Sequence, residues 1–164
     1  MTHPNSDRTA QRQPLPHGGG CPRSDEGETL HHHGYSWLGS GLDLLMDGPR
    51  RPLHPEFRMS KVVPLELAHW LLKPASLIQG TWNEPMEATD WFRAHVRMYA
   101  PSFASEHHRD ETRLTERISR AVEAMRNGED VAGGWYLTGQ GFLSVCLIAC
   151  SPHRMRPDIA CPQR

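Results

Sequence analysis

The run Phe142-Leu-Ser-Val-Cys-Leu-Ile-Ala-Cys150 limits the possible folds of this chain more than any other stretch. In an extended conformation Phe142, Cys146, Ile148 and Cys150 point to one side, and Leu143, Val145, Leu147 and Ala149 to the other. Both sides are apolar, so a layer must lie against each. The run is also far shorter than the roughly 20 residues that cross a bilayer as a helix.

The neighbouring segments supply candidate layers. Trp135-Tyr-Leu-Thr138 and the apolar run flank Gly139-Gln-Gly141, a glycine-bearing turn that predicts a β-hairpin. Upstream, Asn83 is placed to cap a helix with Pro85 in its first turn, and Pro101 ends it; Trp91, Phe92, His95, Val96, Met98 and Tyr99 share one arc. A second helix is predicted from about Ser105 to Asn127, with Leu114, Ile118, Ala121, Val122 and Met125 on its apolar stripe and Asn127-Gly128 at its exit. Pro64 to Lys73 reads as a short helix or a strand, and Ala75 to Thr81 as a strand before Gly80 breaks it.

These elements predict an α+β domain over 59–164: an antiparallel sheet of about three strands ending in the C-terminal hairpin, with two helices packed on one face. Two helices cover one face only. The other face then needs the 60–78 segment or a second chain, which makes a homodimer or a protein partner an expectation.

Residues 1–58 are rich in Pro, Gly, His, Ser and charge, and predict a disordered or weakly ordered tail. Within it, Tyr35 to Met46 forms an apolar island, either a docking peptide or a strip lying on the domain. The compositional shift near Met59 suggests Met46 or Met59 as the native start. His31, His32 and His33 can hold a metal loosely, but a tail gives them no fixed scaffold.

Charge excludes a strong field for nucleic acid or anionic lipid: 18 basic residues face 19 acidic ones, for a net charge of -1. Only Lys61 and Lys73 are lysine, a skew that GC-rich bacterial coding produces, so Arg109, Arg113, Arg117 and Arg120 read as a solvated, salt-bridged ridge before they read as a phosphate track. The N-terminus carries no export-type pattern, so the reading is a cytoplasmic protein with free thiols at Cys21, Cys146, Cys150 and Cys161.

For metal chemistry, Cys146 and Cys150 on one strand stand about 13 Å apart and cannot share an ion. Cys150, His153 and Cys161 lie past the strand end and could converge on zinc, without an obvious fourth ligand. Cys150 with His153 also allows a nucleophile and its base. His107 and Glu111, one turn apart beside His108 and Asp110, could hold a cation, although acidic residues in a first turn ordinarily complement the helix dipole. His95, with Asp90 and Arg93 nearby, is the candidate for a ligand-facing pocket. No phosphate-binding glycine loop, nucleotide fingerprint, metalloprotease helix or serine elbow is present.

The function expected from sequence is therefore a small non-catalytic interaction or regulatory module without a cofactor, touching its partner through Trp91, His95, Tyr99 and Trp135. The alternative is a small-molecule or metal-binding enzyme domain, with a pocket at His95 or zinc at Cys150, His153 and Cys161. Nucleic acid ranks last among the partners, and no membrane contact is expected.

Overall fold

The computed structural model describes residues 29–164. Four strands form one antiparallel sheet: β1 (His31–Ser40), β2 (Gly80–Trp82), β3 (Val131–Tyr136) and β4 (Gly141–Cys150), in the order β2-β1-β4-β3. The helices are α1 (Pro85–Tyr99), the single turn α2 (Glu106–Arg109) and α3 (Glu111–Arg126). The α+β class, the C-terminal hairpin and both helical regions follow the sequence reading. The strand count is four rather than three.

The apolar run is β4, and its two sides divide as the alternation requires. Leu143, Val145 and Leu147 enter one core with Phe92, Val96, Leu114, Ile118, Met125 and Trp135 under α1 and α3. Cys146, Ile148 and Cys150 enter a second core with Tyr35, Trp37, Trp70, Leu71 and Ile159. The second face is closed by this chain itself: the 3-10 turn Leu67–Leu72, Val62, Val63 and Ile78 pack there, as does Ile159 from the C-terminal segment. Of the two covers that the sequence allows this face, the 60–78 segment or a second chain, the structure has the first.

The expected tail boundary at 58 is corrected for the described residues. β1 lies inside the sheet and pairs with β4 along its whole length, from His31 opposite Cys150 to Ser40 opposite Gly141. Its odd positions His31, His33, Tyr35 and Trp37 face the second core, so the first half of the apolar island is a strand end, while Gly41–Leu45 continues as a 3-10 turn whose Leu42 and Leu45 stay exposed. A chain begun at Met46 or Met59 would lack this strand. Residues 1–28, with Cys21, lie outside the described residues.

Smaller differences have local causes. Glu84, not Asn83, is the residue before α1. The second helix breaks at Asp110, whose extended backbone lets its carboxylate accept the Arg113 N–H and start α3 afresh. The strand expected over 75–81 is a 3-10 turn at Ala75–Leu77 followed by the short β2. Two glycines meet real demands. Gly139 has φ of 80° in the hairpin turn, and a Cβ on Gly34 would come within 2.8 Å of the Trp82 ring that lies over the strand. Among the described residues no helix is long and apolar enough to cross a membrane.

Beneath the second core, Lys73 is 2% exposed. Its Nζ donates to the carbonyls of Phe57 and Ser60 and sits 3.9 Å from the Phe57 ring centre. Burial pushes its pKa down from 10.5 to about 8. The unfolded chain therefore holds this proton through a window where the folded chain has released it. The stability contributed by this group rises between about pH 8 and pH 10.5 and is lost as pH falls through 8. Burial of Cys146, Cys150 and Tyr35 pulls the other way over the same range, so the lysine is read as a difference: between pH 8 and pH 10 the native chain is expected to gain stability relative to Lys73→Met, by up to about 1.4 kcal/mol per pH unit in paired denaturant unfolding.

Candidate metal centre

The first turn of β1 carries histidines at alternate positions, so His31 and His33 share the face of the second core while His32 points to the other side. There His32 Nε2–H donates to the Glu129 carbonyl at 3.2 Å. Sheet register places Cys150, the last residue of β4, directly opposite His31. The C-terminal segment then returns across this end of the sheet and delivers Cys161. One nitrogen each from His31 and His33 and one sulfur each from Cys150 and Cys161 all lie within 4.8 Å of one another.

The spacings can be compared with a bound ion. Zinc takes nitrogen at about 2.0–2.1 Å and sulfur at about 2.3 Å in tetrahedral array, which requires about 3.3 Å between two nitrogens and about 3.6 Å between nitrogen and sulfur. Here Nε2 of His31 and Nε2 of His33 are 3.2 Å apart. Cys161 Sγ is 3.4 Å from His33 Nε2 and 3.7 Å from His31 Nε2.

The outer contacts fix the tautomers that such binding needs. His31 Nδ1–H donates to the Thr29 carbonyl at 2.9 Å. His33 Nδ1–H donates at 2.8 Å to the hydroxyl of Thr81, opposite it on β2, and that hydroxyl donates in turn to Gln163 Oε1 at 3.0 Å. In neutral rings both Nε2 lone pairs then face each other. Burial, with His31 and His32 close by, holds the His33 pKa down at about 4, so its ring is neutral at pH 7. Two converging lone pairs repel unless a proton, such as that of the Cys161 thiol, or a metal cation lies between them.

Tyr35 lies two residues beyond His33 on the same face. Its hydroxyl is buried and has no hydrogen-bond partner among the described residues, while the charge of Cys150 and Cys161 as thiolates adds to burial in raising its pKa. The orphan hydroxyl leaves a buried polar group on the face that carries the cluster, with no sulfur of the described residues within hydrogen-bond reach of it.

Of the sequence-predicted zinc ligands, Cys150 and Cys161 belong to this cluster and His153 does not. His153 Nε2–H donates to Asp130 Oδ2 at 3.0 Å, and its Nδ1 accepts the Arg156 N–H at 3.0 Å, so both ring nitrogens are committed. The same pairing removes it as a base for Cys150, whose thiol burial pushes up to about 11, the opposite of an activated nucleophile. Cys146 is buried and outside the cluster, in keeping with its separation along the strand.

Among the other candidates, Trp91, His95 and Tyr99 stand at successive turns of α1, each half-buried, with the Trp91 and His95 ring centroids 4.2 Å apart, and Trp135 does not join them. Trp135 is 1% exposed and lies in the core. Trp91 is half-buried against Trp82, 5.4 Å between centroids, and His95 donates Nδ1–H to the Trp91 carbonyl of its own helix at 2.9 Å. Tyr99 packs on the helical core, and Asp90 and Arg93 pair with each other. Glu111 pairs with Arg97, away from His107, and Asp110 caps α3, so no cation pair forms there.

No known family model, no curated protein and no solved structure matches this chain. The chemistry of the donor set therefore carries the functional argument. Two imidazole nitrogens and two cysteine sulfurs suit zinc, while a hard ion such as magnesium or calcium would seek oxygen.

Proposed function

We propose that this protein is a small non-catalytic module built around a structural zinc centre, with His31, His33, Cys150 and Cys161 as ligands. The observation that supports this most strongly is the convergence of four donor atoms, two nitrogens and two sulfurs, within 4.8 Å of one another, with those of His31, His33 and Cys161 at the separations a tetrahedral ion imposes. All four positions come from protein. A catalytic zinc keeps one position for water or substrate, so a closed set argues for holding structure together. The ion would join the start of β1, the end of β4 and the C-terminal segment, three pieces distant in sequence.

The test is metal content in protein purified without an affinity tag. One zinc per chain is expected, falling below a tenth of an equivalent in His31→Ala and Cys161→Ser. Cobalt titrated into the metal-free chain should give the visible bands of a tetrahedral ion with sulfur-to-metal charge transfer. Less than a tenth of an equivalent in the native chain, together with a featureless cobalt spectrum, would overturn the reading.

A further inference from the structure

The arginine ridge of α3 takes a different form in three dimensions from the one its spacing suggests. Arg109 leaves it: Nη1 donates to the Phe103 carbonyl at 2.8 Å, and Nη2 pairs with Glu106. The remaining three, Arg113, Arg117 and Arg120, share a cleft of about 370 Å³ with His107 and His108 of α2, and Trp135 contributes to its lining.

Arg117 is the fixed element of this cleft. Its guanidinium lies 4.6 Å from the Trp135 ring centre, and Nη2 donates to the Ala132 carbonyl at 3.3 Å. It is half-buried, yet among the described residues neither it nor Arg113 has a carboxylate partner. The acidic groups nearby are already engaged. Glu116 pairs with Arg120 at 3.5 Å, Glu111 with Arg97, Glu106 with Arg109, and Asp110 accepts the Arg113 N–H. Burial and the neighbouring Arg120 both work against the charge on Arg117. The cleft thus gathers three guanidinium groups against one carboxylate, and an anion between them would relieve the mutual repulsion.

We propose that this cleft binds a small phosphorylated ligand, with Arg113 and Arg117 donating to the phosphate oxygens and the α2 histidines forming the facing wall. Guanidinium forks match phosphate in geometry, and Arg117 is already held in place by Trp135 and Ala132, so little side-chain freedom is lost when it binds. The volume lies at the lower end of the range for small-ligand sites. With Arg109 turned away, the arginines form a walled pocket rather than a track for a nucleic-acid backbone. The site lies on the helical face of the sheet, and its test is independent of the metal centre.

Inorganic phosphate is the probe, since a diphosphate would also strip zinc. It is titrated into the full-length, metal-loaded protein while arginine side-chain N–H resonances are followed by NMR. One saturable site is expected, with shifts at Arg113, Arg117 and Arg120. Arg113 is exposed, so Arg113→Gln should fold normally and raise the dissociation constant about tenfold, the loss of one charge-assisted hydrogen bond. Arg126→Gln, outside the cleft, should change it less than twofold. Shifts that never saturate, or equal weakening in both variants, would overturn the site by reducing it to diffuse attraction. A short oligonucleotide that displaces phosphate and binds more tightly than a sugar phosphate would overturn the small-ligand assignment.

Discussion

Stripping zinc with a chelator is expected to lower the unfolding temperature of this protein by about 8–16 °C. An ion present at a thousand times its dissociation constant stabilises the folded state by about 4 kcal/mol, and a chain of this size shifts by about 2–4 °C per kcal/mol. The loss should be uneven along the chain. The two apolar cores are built mostly from side chains of the sheet and helices, whereas residues 151–164 are held chiefly by side-chain contacts, among them Cys161, Ile159, the His153 pair with Asp130, Arg154 with Glu129, Arg156 against Glu66 and His69, and Gln163 with Thr81. Hydrogen exchange and limited proteolysis should therefore show this segment opening in the metal-free protein while β4 remains protected. Cys161→Ser should unfold at the temperature of the stripped native chain and respond no further to chelator. An unfolding temperature that chelation leaves unchanged would contradict a structural role for the centre, even if zinc were found bound.

The comparison of sequence and structure turns on two strands. β4 was legible because nine apolar or small residues in succession permit only a strand covered on both sides, and the residues assigned to each side separated into the two cores as expected. β1 was not legible. Its buried positions are histidine, tyrosine and tryptophan at alternate places, interrupted by glycine and serine, and such a run reads as polar in composition although its period is 2. The candidate metal centre depends on that strand. Cys150 and Cys161 could be nominated from the chain end, but their partners lie more than a hundred residues upstream, and only the β1–β4 register shows that they face one another. His153 was nominated because it is near Cys150 in sequence. Its actual partner, Asp130, precedes β3 and owes its position to the same sheet. The one signal available in the sequence was the alternation His31-x-His33-x-Tyr35-x-Trp37, which puts two imidazoles on the side of a strand that two aromatic rings would bury.

Trp135→Ala is expected to destabilise the fold by about 3–5 kcal/mol, a large part of the stability of an ordinary domain. The sequence allowed this residue a place on a binding surface. In the structure it stacks on Phe103 with centroids 5.0 Å apart and planes 1° from parallel, lies 6.4 Å from Phe92, and sits opposite Leu143 in the sheet. Truncation would leave a cavity under α1 and α3 and remove the platform beneath Arg117. Trp135→Phe keeps part of the aromatic stack and should lose less. The two cores lie on opposite faces of β4, and the four proposed zinc ligands all belong to the other face, so the variants should match the native chain in metal bound per chain at temperatures where they are folded. Denaturant midpoints and metal content measured together decide the matter. If Trp135→Ala stayed within 1 kcal/mol of the native chain, the ring would be a surface group rather than a core one. If it lost both stability and zinc, the two faces would be a single cooperative unit, and the metal would be holding the whole domain rather than its C-terminal segment.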